Sequence, residues 1–199
     1  MELTSRRGGA AAGAAGLVLL GLALAPLLSA CGDDAAGAGF RLAGVGISDG
    51  GAMPARYTCL GPGHSPGLTW RDPPAGAGAF ALIIEDLDNL YDGGPFVHWL
   101  LYNVPGSATS VPEAAQAQTP HFASGGLQGW NSGARLGYYT ICPSATPAVH
   151  RYRFTLVALD APLALLPGAS HAQLTAAMRG HILGQAQMTV LDLAPGGGP

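Results

Sequence analysis

The chain has 199 residues and a formal net charge of −3, and all nine of its basic residues are arginine. Only 11% of the residues are charged, against about 25% in an ordinary soluble domain. We therefore exclude a nucleic-acid-binding protein, which needs a basic surface. Hydrophobic residues make up 48% of the chain, enough to build a core, and this argues against disorder. The 31 Gly and 16 Pro residues favour a loop-rich globular domain that is mainly β.

The first 30 residues have the three-part layout of an export signal. Two arginines form a positive start, an apolar centre follows, and small residues end the segment. The sequence Leu28-Ser29-Ala30-Cys31 resembles a bacterial lipobox, in which the cysteine receives the lipid and the chain is cleaved just before it. We predict a lipoprotein signal peptide at residues 1–30, with Cys31 as the lipidated residue.

Other interpretations of this segment stay open. It could be a plain signal peptide or an uncleaved membrane helix, because residues 10–30 carry no charge and roughly 20 apolar residues span a bilayer. Arg6 and Arg7 also resemble part of a twin-arginine signal, so the export route is not assigned. Our prediction is an exported protein of the cell envelope, anchored by lipid to the periplasmic or extracellular face of a membrane.

After a predicted flexible tether at residues 31–39, strands alternate with loops rich in Pro and Gly. The strands are recognised by alternating apolar residues or by apolar runs rich in β-branched and aromatic side chains. Two of the runs are continuous, which is typical of strands buried on both faces. The five predicted strands are residues 40–47, 80–85, 96–104, 152–159 and 185–193.

One helix is predicted between the last two strands. Ser170 and Gln173 have the spacing of a capping box, and Gly184 is the expected end of the helix. No repeat or second domain is visible, so we predict one domain at residues 40–193 and a disordered Gly/Pro tail at residues 194–199. The apolar face of the helix is predicted to contain Leu174, Ala177, Met178 and Ile182.

Three polar clusters interrupt this apolar sequence. Taken singly, each has a purely structural explanation, either a solvated turn or a core histidine with its ring hydrogen-bonded. Their order and spacing are more informative than any one of them. The clusters are Glu85-Asp86-Leu87-Asp88 at the end of the second predicted strand, His98-Trp99 within the third, and residues 137–143 followed by His150-Arg151-Tyr152 at the start of the fourth.

In this order the clusters resemble the phosphatidylethanolamine-binding protein family, in its bacterial Raf kinase inhibitor-like branch. The resemblance covers about residues 40–193. Leu87 and Thr140-Ile141 stand where the family has proline or Gly-Pro, which leaves the shape of the pocket rim and the ligand preference open. The matching segments are Tyr57-Thr58-Cys59, residues 65–70, Asp86-Leu87-Asp88, Val97-His98-Trp99, residues 102–105, residues 137–143, His150-Arg151-Tyr152, Ala158-Leu159-Asp160 and residues 180–183, the last as part of the helix.

The resemblance implies a β-sandwich with a few short peripheral helices and a small pocket for an anion such as phosphate, a phosphoryl headgroup or acetate. It places Asp86, His98 and Tyr138 in the lining of this pocket. It also implies that the segments around Asp88, Gly94-Pro95 and His150 lie nearby.

The chemistry of these residue types suits an anion. His98 can donate a hydrogen bond and adds a positive charge when protonated, and Tyr138 offers a phenol donor. Asp86 would hold the far nitrogen of a histidine and favour its imidazolium form, or meet the ammonium group of an ethanolamine. If His98 must be protonated to bind phosphate, affinity should rise as the pH falls through its pKa.

The remaining two cysteines, Cys59 and Cys142, form an even pair in an exported protein. The family resemblance implies that both lie in loops bordering the same pocket. We predict a disulfide between them, with two buried free thiols as the alternative.

The residues favour a binding protein over an enzyme. Gly63-His64-Ser65-Pro66-Gly67 has the spacing Gly-x-Ser-x-Gly, but Ser65, followed by Pro66 and Gly67, is better interpreted as a turn residue than as a nucleophile. Asp86, Asp88 and His98 would suit a divalent metal only loosely. We predict no catalytic residue, no metal and no cofactor. The predicted function is that of a membrane-anchored protein that binds a small anion or phosphorylated headgroup. The alternative is a lipid-tethered regulator or inhibitor of an unknown partner enzyme, acting through the pocket rim.

Overall fold

The computed structural model describes residues 39–114, 119–143 and 149–193. The predicted signal peptide at residues 1–30, Cys31, all but the last residue of the tether and the tail at residues 194–199 lie outside these ranges. Among the described residues, no helix combines the length and the apolar character needed to cross a membrane.

The larger of two antiparallel sheets contains the long strands. Its order is β6-β4-β3-β7-β8. The middle strands are buried on both faces, as their continuous apolar runs predict. The strands of this sheet are β3 (Ala79–Tyr91), β4 (Gly94–Pro105), β6 (Leu127–Gln128), β7 (Val149–Leu159) and β8 (Ile182–Leu193).

A smaller sheet packs over one face of the larger one. It contains β1 (Arg41–Gly44), β2 (Leu68–Arg71) and β5 (Ser110–Val111), in the order β1-β2-β5. Leu68 and Trp70 of β2 share a buried cluster with side chains of β3, β4, β7 and β8. This cluster is the core between the sheets, so the predicted fold class, a mainly β sandwich, is confirmed.

The opposite face of the larger sheet is covered by the helix α1 (His171–Met178) and the loop before it. The predicted capping box is present, since the Ser170 hydroxyl accepts from the Gln173 backbone N–H while the Gln173 side chain accepts from the Ser170 N–H. A short 3-10 turn at Ala55–Tyr57 is the other helical element of the described ranges.

The predicted end of α1 was wrong. The helix stops at Met178, because Gly180 has a positive φ of 83° and turns the chain back. Ile182 and Gly184, expected on the helix and at its end, belong to β8, where they pair with Leu159 and Ala158 of β7. The five residues predicted to end the helix, 179–183, therefore form a turn and the start of a strand paired with a distant partner.

Strand boundaries also differ from the predictions. β1 ends at Gly44, because a tight turn follows in which the Ile47 N–H donates to the Gly44 carbonyl. β3 continues six residues beyond the predicted end at residue 85, so the acidic cluster lies within a strand. The strands β2, β5 and β6 were not predicted, since segments of two to four residues are too short to show alternation.

Candidate functional site

Glu85 and Asp86 point to opposite faces of the larger sheet, because successive side chains of a strand alternate. Phe80, Leu82 and Ile84 belong to the core between the sheets, and Asp86 continues that row. Glu85 continues the row that faces α1. Both carboxylates are buried, with Asp86 only 1% exposed.

A bulge in β4 brings His98 to the same face as Asp86. Trp99 pairs with Ile84 and Val97 pairs with Glu85, so His98 is the extra residue between them. Neighbouring side chains of a regular strand point to opposite faces. Because of the bulge, His98 and Trp99 both point toward the core between the sheets. Bulges often redirect a side chain in this way beside a functional site.

The environment of His98 keeps its ring neutral. Its Nδ1–H donates to the Tyr139 carbonyl at 2.8 Å, which assigns the lone pair of the neutral ring to Nε2. Burial lowers the pKa of His98 to about 4, although the Tyr139 carbonyl and the Asp86 charge oppose this shift. At neutral pH His98 therefore contributes a neutral ring to the unliganded protein.

Asp86 is held by a different histidine. Its Oδ2 lies 2.7 Å from Nδ1 of His150, and its Oδ1 accepts from the Asp88 backbone N–H at 3.0 Å. His150 is 1% exposed. The structure thus brings Asp86, His98 and His150 together, and it pairs the carboxylate with His150 and not with His98.

Tyr152 completes this group and was not selected from the sequence. Its ring lies 5.3 Å from that of His98 and stacks on that of His150 at 6.3 Å. Its hydroxyl is buried and makes no hydrogen bond to any described residue. Burial, and then the negative charges of Asp86 and Asp192, raise the pKa of Tyr152.

A sequence signal for Tyr152 did exist. His150 and Tyr152 are two residues apart in a strand and therefore share a face, and Tyr152 pairs directly with Asp86 in the register of β3 and β7. We call Asp86, His98, His150 and Tyr152 the polar cluster. It offers a carboxylate paired with a histidine, a hydroxyl without a described partner, and the Nε2 lone pair of His98.

Tyr138, predicted in the pocket, has a structural role instead. Its hydroxyl donates to the Tyr57 carbonyl at 2.8 Å, and its ring packs edge-on against Trp99. Burial raises the pKa of this hydroxyl. In this structure the one hydroxyl proton of Tyr138 is thus donated to Tyr57 and not to an anion.

Asp88, also predicted near the ligand, is bound to Arg151. Its carboxylate accepts from the Arg151 backbone N–H, Nε and Nη2 at 2.7–2.9 Å. These hydrogen bonds hold the pKa of Asp88 below its usual value. Asp88 therefore ties the end of β3 to the start of β7 and contributes only its backbone N–H to Asp86.

Gly94 and Pro95 lie on the other side of the sheet. They line a cavity of about 390 Å³ together with Val97, Trp130 and the start of α1. Glu85 lies under this face, where it pairs with Arg153 at 2.7 Å and lies 3.8 Å from His171. The structure therefore separates Gly94-Pro95 from the polar cluster.

Cys59 and Cys142 form a disulfide, the pairing that the family resemblance implied, with their Cα atoms 5.2 Å apart. Both cysteines are exposed. The Cys59 N–H donates to the Ile141 carbonyl at 2.9 Å, and the Tyr139 N–H donates to the His98 carbonyl at 2.8 Å. The disulfide thus holds the loop whose Tyr139 carbonyl orients His98.

Within the described ranges, no three His, Cys, Asp or Glu side chains are grouped as they would be around a metal ion.

Known proteins are similar to this chain over most of the domain. The family model described as phosphatidylethanolamine-binding protein matches residues 45–191. The UPF0098 protein of Methanothermobacter thermautotrophicus is 40% identical over 146 residues, which are 71% of this chain and 91% of the relative. LppC of Mycobacterium tuberculosis H37Rv, whose name makes it a candidate lipoprotein, is 40% identical over 143 residues, which are 71% of this chain and 66% of LppC.

Solved structures share the fold. A candidate phosphatidylethanolamine-binding protein homologue from Chlamydia trachomatis superposes with a TM-score of 0.70 at 33% identity, covering 78% of this chain and 97% of its own. Escherichia coli YbcL, described as a member of the mammalian family, superposes with a TM-score of 0.71 over 78% of this chain and 99% of its own. At 24% identity the likeness to YbcL concerns the fold alone.

Proposed function

The chain belongs to the phosphatidylethanolamine-binding protein family, and from this premise we propose that its polar cluster binds a small phosphate-bearing anion and releases it unchanged. The observation that carries the proposal is the buried Tyr152 hydroxyl, which lies near the Asp86 carboxylate but has no described residue in good hydrogen-bonding geometry. A buried donor of this kind costs roughly 1–3 kcal/mol when it is unsatisfied. A ligand oxygen would remove that cost.

The protonation state of His98 defines which form of the anion fits. Because Nδ1–H is donated to Tyr139, a neutral His98 can only accept at Nε2. The ligand therefore brings a proton: a phosphate oxygen bearing hydrogen donates to Nε2, while the Tyr152 hydroxyl donates to an unprotonated oxygen. The complex holds one proton shared between the phosphate and His98.

This arrangement predicts a pH dependence with two limbs. Above the second pKa of a phosphate monoester, about 6, the ligand must take up a proton and affinity falls about tenfold per pH unit. Below the pKa of His98, about 4, the free protein and the free ligand together hold two protons, and the complex keeps only one of them. Affinity is therefore highest between these values, which corrects the expectation of a continuous rise on acidification.

Release without reaction is part of the proposal. The ring Nδ1 of His98 is bound to the Tyr139 carbonyl and not to a serine, threonine or cysteine side chain.

Calorimetry with phosphoethanolamine at pH 5 and pH 8 tests the site. Tyr152→Phe should lower affinity roughly 10- to 150-fold, as expected for a hydrogen bond to a charged group, without lowering the stability of the free protein. Tyr138→Phe is the matched control, because its hydroxyl serves Tyr57, and it should keep the affinity. Equal affinity of the wild type and Tyr152→Phe at both pH values would reject the site.

We also propose that a lipid on Cys31 anchors the protein to a membrane. The lipobox-like sequence ending at Cys31 and the name of the relative LppC support lipidation of this cysteine. Cys31→Ala should leave an unprocessed precursor or a soluble protein, as measured by membrane fractionation and mass. A processed Cys31→Ala protein that still sediments with membranes would contradict lipid anchoring.

A further inference from the structure

The cavity of about 390 Å³ on the α1 side of the larger sheet has no role in the proposed phosphate site. It lies between the turn that joins β3 to β4, the segment at residues 130–132 and the first residues of α1. Its volume falls within the roughly 300–1,000 Å³ of small-molecule sites. The sheet itself separates it from the polar cluster.

An exposed tryptophan at this cavity is held in a fixed place. Trp130 is 48% exposed, whereas Trp70 and Trp99 are 3% and 0% exposed. Its backbone N–H donates to the Ala169 carbonyl. A Cβ on Gly168 would come within 3.0 Å of the indole Nε1, so the ring packs closely on the backbone there. A large apolar ring is thus left in solvent but does not need to be ordered when a ligand arrives.

A second aromatic residue and several neutral polar groups accompany it. Tyr91 lines the same cavity and is 54% exposed. The Ser132 hydroxyl accepts from the Val97 N–H and the Ser170 hydroxyl accepts from the Gln173 N–H, so each keeps its own proton for donation. Asn131 donates one amide hydrogen to the Gly137 carbonyl and keeps the other.

The charges around the cavity argue against an anion. No arginine is among its described lining residues, which include Asp92. The lining histidine, His171, lies 3.8 Å from the Glu85 carboxylate, which also pairs with Arg153 beneath this face. A wholly apolar ligand is also disfavoured, because it would cover the serine and asparagine donors without satisfying them. The lining suits a neutral molecule with one apolar face and several hydroxyl groups.

We propose that this cavity binds a neutral saccharide unit, with its C–H face against Trp130 and its hydroxyls hydrogen-bonded to Ser132, Ser170 and Asn131. The aromatic ring offers a flat apolar contact surface of fixed orientation. The polar side chains orient the saccharide by hydrogen bonds to its hydroxyl groups. The site is independent of the phosphate site, since no residue of the polar cluster lines the cavity.

Tryptophan fluorescence provides the first test, because Trp130 is the exposed one of the three tryptophans. The full-length protein is titrated with glucose, N-acetylglucosamine, maltose and cellobiose. At least one should shift or quench the emission in a saturable manner. No saturable change with any of the four would overturn the proposal.

Two variants connect the signal to the cavity. A Cβ on Gly94 would meet no atom within 4 Å, and Gly94 has no positive φ, so Gly94→Val should fold and occupy the cavity. It should abolish saturable binding. Trp130→Ala, followed by ligand-observed NMR, should weaken binding roughly 3- to 10-fold, as expected for loss of an aromatic contact.

Control variants separate this site from the proposed phosphate site. Leu60→Ala removes an exposed apolar side chain elsewhere and should leave saccharide binding unchanged. Tyr152→Phe should do the same, while Gly94→Val should keep phosphoethanolamine binding. Saccharide binding that survives both Gly94→Val and Trp130→Ala, or that is lost in Tyr152→Phe, would overturn the assignment to this cavity.

Discussion

The two faces of the larger sheet carry buried carboxylates that are neighbours in sequence but have different partners. Glu85 faces α1 and pairs with Arg153, a permanent cation, at 2.7 Å. Asp86 faces the core between the sheets and pairs with His150 at 2.7 Å. The α1 face thus holds its carboxylate with a permanent cation, whereas the polar cluster holds its carboxylate with a histidine.

The largest expected effect comes from the covalent link beside the polar cluster. The double change Cys59→Ser and Cys142→Ser opens a link across a sequence separation of 83 residues, which should lower the free energy of unfolding by about 4 kcal/mol in the chain-entropy model. Phosphoethanolamine affinity should also fall, because the Tyr139 carbonyl that orients His98 lies on the released loop.

Urea unfolding and calorimetry measure these two effects. Saccharide binding on the α1 face serves as the internal control and should persist at temperatures where the variant is folded. An unchanged unfolding midpoint in the double variant would contradict the stabilising role of the disulfide.

The second prediction uses the pH dependence of stability on the side of the polar cluster. The pKa of His98 is lowered from 6.5 to about 4 in the folded protein. The unfolded chain therefore binds a proton at His98 that the folded protein does not, and stability falls as the pH drops from about 6.5 to 4. The loss attributable to His98 should reach about 3 kcal/mol near pH 4 and grow no further below it.

Urea unfolding of the wild type and His98→Gln at pH 7 and pH 4.5 tests this expectation. The variant should lose less stability than the wild type between the two pH values, because it has no ring to protonate. A parallel decrease in both proteins would assign the acid sensitivity to other groups.

The third prediction contrasts the two neighbouring carboxylates. Glu85→Gln should lower stability by roughly 1–2 kcal/mol, because it weakens a charge-assisted hydrogen bond to Arg153, and should leave phosphoethanolamine affinity within about threefold. Asp86→Asn should instead move the acid limb of the affinity profile to lower pH, since the Asp86 charge raises the pKa of His98.

Calorimetry from pH 3.5 to pH 8 on both variants distinguishes the faces. If Glu85→Gln shifts the acid limb of the affinity profile as far as Asp86→Asn does, the two faces of the sheet do not differ in the way we expect.

The smallest effect is expected at Asp88. Its oxygens are bound to Arg151 and not to a ligand, so Asp88→Asn should change phosphoethanolamine affinity far less than Tyr152→Phe. Because the pKa of Asp88 is lowered in the folded protein, its contribution to stability is present above pH 3.8 and is lost as the pH falls through the lowered pKa. A loss of affinity equal to that of Tyr152→Phe would restore Asp88 to the ligand contacts.

Short-range patterns were sufficient for the long elements and for part of the site. The apolar runs of β3 and β4 and the capping box of Ser170 and Gln173 depend on neighbouring residues, so the sequence contains their cause. Asp86, His98 and His150 could be grouped because the family resemblance supplied contacts that a single chain does not display. Tyr152 was missed, although strand alternation places it beside His150.

By itself, then, the sequence determined the mainly β class, the positions of the long strands and the start of α1, since each follows from local propensity and alternation. Only the tertiary structure decided which face each polar residue joins. The bulge that turns His98 toward Asp86, the donation of the Tyr138 hydroxyl to Tyr57 and the pairing of Ile182 with β7 join segments far apart in the chain. Such contacts depend on how strands align across the sheet, and a shift of one residue would exchange the two faces.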